Sequence, residues 1–195
     1  MSGDWQVVPT LRGKHVRLEP LSAAHAEGLF ESTRDPGIWA WLSMRQPESA
    51  DVLREWIVRH VAAEGVRAFA QVDAETGAVA GTTSYYEVDP VHRALAIGYT
   101  WLGSAWQRTG VNTEAKLLLL EYAFEELGAI RVVWHTDIRN LRSQRAIERL
   151  GAQREAVLRQ HRIRPDGSLR DTAQYSMLDV EWPGAAARLR ARLER

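Results

Sequence analysis

The sequence predicts an α/β protein, of the mixed kind also described as α+β, with antiparallel strands at both ends of one mixed sheet. Two observations lead to this prediction. A strand-to-helix unit occurs twice between residues 95 and 150, and strand-like segments lie before and after it. The 195 residues are 45% hydrophobic, enough for one sizeable core, and no linker rich in Pro, Gly or Ser divides them. We therefore expect a single domain over residues 1–195.

The first half of the chain predicts a strand, two helices and three further strands. Residues 14–21, KHVRLEPL, alternate apolar and polar positions, and Ser22 caps a helix that ends at Asp35 and the Pro-Gly after it. Residues 48–64 carry apolar side chains at three-and-four spacing, which predicts a second helix. Three strands follow, the first two joined as a hairpin by the turn ETGA, at residues 67–74, 78–88 and 93–102.

The second half predicts two helices and three strands. One helix runs from Thr113 to Leu127, ends at Gly128, and has an apolar stripe of Leu117, Leu120, Phe124 and Leu127. A strand at 130–136 precedes a compact helix that Asn140 caps. The last two strands flank the turn PDGS and lie at residues 152–161 and 171–180.

Composition excludes several classes of function. Lys and Arg together number 25, as do Asp and Glu, which argues against a protein that covers nucleic acid phosphates. Cys is absent and the six His show no ligand spacing, so we expect neither a thiolate nucleophile nor a metal site. The chain has neither a signal-peptide pattern nor about 18 consecutive apolar residues, so we expect a cytoplasmic protein without a membrane partner.

The stretch WQRTGVNTEAK, residues 106–116, joins a strand to a helix and has the features of an anion site. Gly110 gives flexibility, Asn112 is placed to cap the helix, and Arg108 adds a positive charge. Unpaired N–H groups and the helix dipole at such a start bind anions. The alternative is an ordinary tight turn between strand and helix, which these eleven residues fit equally well.

The segment from Ile97 to Ala152 resembles the GNAT acetyltransferase superfamily, in particular the branch of the RimJ and RimL ribosomal-protein N-terminal acetyltransferases. The strongest signature is RNLRSQRAIERLGA, and the resemblance extends over nearly the whole chain. It implies a GNAT fold, with a mostly antiparallel sheet of about seven strands, helices on both faces and a splayed central strand pair. It also implies acetyl-coenzyme A as co-substrate.

The resemblance also implies where coenzyme A binds. The family pattern Gln/Arg-x-x-Gly-x-Gly/Ala holds the pyrophosphate, and its fixed positions fall on Gln107, Gly110 and Asn112, of which the third departs from Gly or Ala. The implied loop comprises Gln107, Arg108, Thr109, Gly110, Val111, Asn112 and Thr113. Backbone groups of Trp101 and Leu102 would pair with the pantetheine amides. Asn140 and Ser143 match the family's Asn-x-x-Ser, with the Asn on the pantetheine arm and the Ser hydroxyl near the thioester sulfur.

The general base that relatives often carry is missing. Ala96 stands where they have Glu just before Ile-Gly-Tyr, so Glu87 on the neighbouring strand is the first substitute. Strand alternation puts Glu87 and Tyr85 on one face and Tyr86 on the other. Further candidates for the base are Asp89, His92, His135 and Tyr99. A neutral amine would need no base, because direct attack suffices once it is aligned with the acetyl group.

The acceptor stays open at this point. The loop after residue 158 brings several cations near the expected mouth, which favours an acidic acceptor or the phosphate of coenzyme A; a solvated hairpin is the alternative. These cations are Arg159, His161, Arg162, Arg164 and Arg170. We expect an N-acetyltransferase for a small-molecule amine or a protein N-terminus; the alternative is a non-catalytic coenzyme A binding module or sensor. Whether it acts as a monomer or a homodimer is open.

Overall fold

A mixed eight-stranded sheet forms the centre of the protein in the computed structural model, which describes residues 3–42 and 44–194. The spatial order is β1-β2-β3-β4-β5-β6-β8-β7, and the neighbours are antiparallel except for the parallel pair β5–β6. The strands are β1 (Leu11–Arg12), β2 (Val16–Pro20), β3 (Arg67–Asp73), β4 (Val79–Asp89), β5 (Ala94–Leu102), β6 (Arg131–Asp137), β7 (Gln153–Ile163) and β8 (Leu169–Leu178). This confirms a mixed, mostly antiparallel sheet; the strand beyond the expected seven is the two-residue β1.

Helices cover both faces of this sheet, as predicted. They are α1 (Ala26–Ser32), α2 (Ala50–Val61), α3 (Gly110–Glu121), α4 (Leu141–Leu150) and α5 (Trp182–Leu193). The predicted first helix is shorter, because Asp35 caps a separate 3-10 segment, Pro36–Trp41, instead of ending α1. The basic C-terminal stretch falls mostly on α5, with Arg195 outside the described residues. None of the described helices is long and apolar enough to cross a membrane.

The start of α3 differs from the prediction, and Asn112 is not its cap. Thr109 caps the helix, because its Oγ1 accepts the N–H of Val111 at 3.3 Å. Thr, like Asn, carries a side-chain oxygen suited to this position, so the sequence offered two candidates three residues apart. Asn112 therefore lies in the first turn, where its Oδ1 is buried and finds no hydrogen-bond donor within the described ranges.

The far end of α3 also departs from a regular helix. The α-helix stops at Glu121, and a π-helical turn over Tyr122–Glu126 continues the chain. Phe124 and Leu127 remain buried after this turn, so the predicted apolar stripe reaches the core although the helix changes its pitch. Gly128, with φ +69, then ends the segment as expected.

Two hydrophobic cores lie on opposite faces of the sheet. On one face α1 and α2 pack on the strands through Leu29, Leu53 and Ile57, and Trp101 of β5 belongs to this core. On the other face α3, α4 and α5 pack through Leu119, Leu120, Ile147 and Leu189. The face of the sheet to which a strand side chain points therefore determines which set of helices it contacts.

The central pair β5–β6 is splayed, which confirms the expectation from the family. Ala94–Ala96 pair with Arg131–Val133, and beyond these three pairs the strands diverge. The segments Ile97–Leu102 and Trp134–Asp137 thus face each other without ladder hydrogen bonds. A gap opens in the middle of the sheet.

Candidate active site

The divergence of β5 and β6 opens a cleft of about 1060 Å3. Its walls are the open ends of both strands, the first turns of α3 and α4, the segment Pro36–Trp41 and the turn between β7 and β8. Ten predicted site residues line it: Trp101, Leu102, Gln107, Arg108, Thr109, Gly110, Asn112, Thr113, Asn140 and Ser143. Two others do not, because Val111 is buried in the core and Glu87 is exposed.

The first turn of α3 presents free N–H groups to the cleft. A helix leaves its first N–H groups without intrahelical partners, and the Thr109 cap satisfies only that of Val111. The N–H groups of Gly110 and Asn112 therefore lack an intrahelical acceptor, at the positive end of the helix dipole. A Cβ on Gly110 would lie 2.8 Å from Cδ2 of His15, so any larger residue here would force the imidazole to shift. Such a helix start is suited to an anion.

Two arginines flank this helix start, and Gln107 fixes one of them. Gln107 donates from Nε2 to the carbonyl of Leu102 at 3.1 Å and accepts from Nη2 of Arg142 at 2.7 Å. It thus links the end of β5 to α4 and holds a guanidinium at the cleft wall. Because Gln107 already uses the Leu102 carbonyl, a ligand would share that acceptor. Arg108, with φ +65, is exposed on the same side.

The first turn of α4 forms the opposite wall. Asn140 caps this helix as predicted, since its Oδ1 accepts the N–H of Ser143 at 3.0 Å. This contact also places the half-buried Ser143 in the cleft. Arg142 lines the cleft as well, whereas the exposed Arg145 does not. The cap and the predicted functional Ser are therefore positioned by one hydrogen bond.

Bulges interrupt β4 and β5 beside the cleft. Tyr99 has φ +49 where the register of the two strands shifts, and Glu87 has φ +50 at a second shift. Left-handed backbone at residues other than glycine is uncommon and clusters at functional sites. Strict alternation of side chains therefore fails at Glu87. The pKa of Tyr86 is raised, mainly because the residue is buried and to a smaller extent because of the Glu87 charge. A role for Glu87 as base stays a prediction.

A hydrogen-bonded chain of side chains lies across the gap on the face of α1 and α2. The Tyr86 hydroxyl and Nδ1 of His135 are 2.8 Å apart, and Nε2 of His135 is 3.2 Å from Oε1 of Gln174. Tyr85, the neighbour of Tyr86, points to the other face and donates to the carbonyl of Leu119 at 2.5 Å. Tyr86 and His135 are therefore on the side opposite to α3.

The β7–β8 hairpin adds charged groups to this same side. Asp137 accepts from Nε and Nη2 of Arg164 at 2.7 and 3.0 Å, and this two-point pair occupies both oxygens of its carboxylate. Nε of Arg170 is 3.9 Å from Asp137, too far for a hydrogen bond. His161 stands beside His135, with ring centroids 5.8 Å apart. These groups carry more positive than negative charge.

Two buried charged residues of α3 were missed by the sequence analysis. Glu114 is 7% exposed and accepts three backbone N–H groups, from Lys14, His15 and Val16, at 2.8, 2.6 and 2.9 Å. It therefore ties the helix that begins at the cleft to the turn between β1 and β2. The signal was present, because the stripe of Leu117 extends back by three residues to Glu114.

Lys116 is the second of these residues, and it lines the cleft. It is 6% exposed, and its Nζ donates to the hydroxyls of Thr83 and Thr100 at 2.8 Å each. Its contacts are neutral hydroxyls rather than a carboxylate, and burial lowers its pKa to about 7. Helical spacing from Leu120 also puts Lys116 on the buried stripe.

Comparison with known proteins agrees with the acetyltransferase resemblance of the sequence. The family described as Acetyltransferase (GNAT) domain matches residues 15–153. A Bacillus subtilis (strain 168) protein named "Putative ribosomal N-acetyltransferase YdaF" is 32% identical over 173 residues, which are 86% of this chain and 91% of that protein. The structure of a GCN5-related N-acetyltransferase from Brucella melitensis superposes with a TM-score of 0.92 at 33% identity, covering 96% of this chain and 86% of that one.

A structure of lower sequence identity contains CoA. Spermidine N-acetyltransferase from Vibrio cholerae, solved in complex with CoA and spermine, superposes with a TM-score of 0.72 over 88% of this chain and 99% of that one. At 19% identity this likeness concerns the fold alone. The match to the family over residues 15–153 and the 32% identical relative go further than fold. From them we conclude that the chain belongs to the GNAT family of acetyltransferases.

Proposed function

We propose that this acetyltransferase moves the acetyl group of acetyl-coenzyme A onto a primary amine, of a small molecule or a protein N-terminus, by direct attack in a ternary complex. The observation behind this proposal is the cleft itself. The anion-binding start of α3 and Ser143 at the start of α4 line the same gap between β5 and β6. A pyrophosphate, an extended amide chain and a reacting group thus find complementary walls in one cavity.

The residues present fit coenzyme A. The free N–H groups of Gly110 and Asn112 and the charges of Arg108 and Arg142 suit a pyrophosphate. The buried Oδ1 of Asn112, which no donor within the described ranges reaches, can accept a hydrogen bond only from an N–H or O–H group of the ligand and not from its phosphates. The edge of β5 that β6 leaves open near Trp101 and Leu102 suits the pantetheine amides, which would add to it as a peptide does and share the Leu102 carbonyl with Gln107.

Ser143 is the residue that we propose for proton transfer. Acetyl-coenzyme A supplies a thioester; attack by the amine forms a C–N bond and breaks the C–S bond, leaving an amide and a thiolate. The hydroxyl of Ser143 gives its proton to this sulfur, and the proton that the amine loses restores the balance through solvent. Asn140 holds the backbone of Ser143, so the hydroxyl is positioned before the substrate arrives.

The cleft favours direct attack by an amine that is already neutral. Ala96, where relatives often carry Glu, is 1% exposed and offers no base. Glu87 is exposed and outside the cleft wall, so its carboxylate would act through water if it acts at all. Alignment of amine and acetyl group in the cleft then supplies most of the rate enhancement.

Acetyl-coenzyme A is expected to raise the melting temperature, because a ligand that binds only the native state stabilises it. Thiol release across a panel of amines and N-terminal peptides then tests transfer. A melting shift with thiol release supports the proposal, whereas a shift without release from any amine means a binding module. Gly110→Val should reduce the shift by clashing with His15, and Gly184→Val, the same change on the exposed surface of α5, should leave it intact.

Ser143→Ala is expected to lower turnover by about 10–100-fold with little change in cofactor affinity, because only the proton donor is lost. The helix should survive, since Asn140 accepts the backbone N–H of residue 143 and not its hydroxyl. Steady-state kinetics and calorimetric titration of acetyl-coenzyme A separate the two effects. An equal loss of binding and turnover would show that Ser143 positions the cofactor instead.

A further inference from the structure

Two polar atoms in the wall of the cleft are buried without partners. Nε of Arg170 and Nδ1 of His161 are both inaccessible to solvent, and neither makes a hydrogen bond within the described residues. The Arg170 side chain is 18% exposed, and both residues line the cleft. A buried polar group without a hydrogen-bond partner lowers the stability of the fold, so such atoms are commonly paired with a ligand or a water molecule.

The charge around Arg170 is not balanced by the protein. Asp137 is the acidic residue nearest to its guanidinium, but both oxygens of Asp137 already bind Arg164. On the part of this wall that β6 and the β7–β8 hairpin supply, three guanidiniums (Arg162, Arg164 and Arg170) and two carboxylates (Asp137 and Asp166) leave a net charge of one. Burial lowers the pKa of Arg170, and the charge of Asp137 at 3.9 Å offsets this only in part. One positive charge of this wall is therefore not neutralised by a carboxylate of the wall.

Strand geometry puts this wall on the acceptor side and away from the pyrophosphate. Arg170 and Gln174 are four residues apart on β8 and share a face, and Gln174 contacts His135. Tyr175 points the other way, to Gln144 of α4. Arg170 thus lies on the face of α1 and α2, whereas the anion site at the start of α3 lies on the opposite face. The phosphates of coenzyme A already have their own cations there.

We propose that the acceptor amine carries a carboxylate, which Arg170 and His161 bind on the α1/α2 side of the cleft. This inference rests on the proposed transfer to an amine. A guanidinium offers paired N–H donors that match the two oxygens of a carboxylate, and the single missing charge fits a monoanion. The carboxylate belongs either to a free amino acid or to an acidic residue near the N-terminus of a peptide.

Matched acceptors test this inference by activity. Thiol release is measured with 4-aminobutyrate against butylamine, and with peptides that begin Ala-Glu against Ala-Gln. We expect the carboxylated member to be preferred about 10–100-fold, mainly through KM, since a charge-assisted hydrogen bond is lost in its partner. The pair that shows the preference identifies the source of the carboxylate. Equal rates within both pairs would overturn the proposal.

Variants then assign the preference to Arg170. Arg170→Met should lower turnover of the carboxylated member to the level of its uncarboxylated partner, which abolishes discrimination within the preferred pair, and Arg170→Lys should restore part of it. Arg159→Met is the matched control, because this exposed arginine of β7 does not line the cleft. Equal loss for both members of a pair in Arg170→Met would contradict a carboxylate contact.

A binding measurement decides the inference even if no transfer is seen. Calorimetric titration of 4-aminobutyrate and the Ala-Glu peptide, in the presence of coenzyme A, should show binding that weakens about 10-fold or more in Arg170→Met. Binding without thiol release would support the carboxylate site and count against the proposed transfer. No binding of either compound to the parent protein would overturn the site.

Discussion

Replacement of Glu114 by alanine is expected to lower the free energy of unfolding by about 3 kcal/mol and the melting temperature by roughly 6–12 °C. The carboxylate accepts three backbone N–H groups of residues 14–16, and its removal leaves all three without an acceptor in a largely buried place. Donors left unpaired in this way cost more than the bond itself contributes.

Two further variants make this expectation specific. Glu114→Gln keeps one oxygen, so it should satisfy His15 and Val16 while its NH2 group faces the N–H of Lys14, and should cost about half as much. Glu55→Gln is the control, because Glu55 is 72% exposed and makes a long surface pair with Arg59. Chemical unfolding measures all three. A loss below about 1 kcal/mol in Glu114→Ala would contradict the role of the three bonds.

Lys116→Met is expected to stabilise the protein at pH 6 by about 3–5 kcal/mol and to have little effect near pH 10. Burial lowers the pKa of Lys116 to about 7 in the native state, against 10.5 in the unfolded chain. Between these values the unfolded state holds a proton that the native state lacks, so parent stability rises with pH across this window. Below pH 7 both states are charged, and the full penalty remains.

The substitution isolates this effect because it leaves no orphaned hydroxyl. Thr83 and Thr100 lie 2.8 Å from each other as well as from Lys116, so they keep a partner when the amine is gone. Unfolding is measured from pH 6 to pH 10 for the parent, Lys116→Met and Lys14→Met, the last replacing the exposed second lysine. Parallel curves for the parent and Lys116→Met would mean that the amine is charged throughout this range.

Much of the fold was predictable because local signals agreed with the sheet. The hairpin β3–β4 follows from its alternation and turn, and Asn140 and Gly151 bound α4 as expected. The cap of α3 was misassigned since Thr109 and Asn112 offer the same side-chain chemistry, and the helix begins three residues before the predicted Thr113. Local sequence does not distinguish the two starts.

The site was predictable where one segment carries it and unpredictable where segments meet. Residues 107–113 and 140–143 lie mostly on the cleft wall as the family resemblance implied. The pairing of Asp137 with Arg164, which leaves Arg170 3.9 Å from that carboxylate and without a hydrogen bond to it, depends on distances between strands and could not be read from spacing. The bulge at Glu87 likewise breaks the alternation on which its predicted orientation rested.

The short seam between β5 and β6 has a consequence for how the chain folds. Strands β1 to β5 pair in sequence order and β6 to β8 pair among themselves, while the two groups join through three residue pairs across about 37 positions of chain. Loop closure of that length brings few contacts in return, so the seam should form last. The gap that we propose as the substrate site is then also the junction at which the two halves of the sheet would meet last during folding.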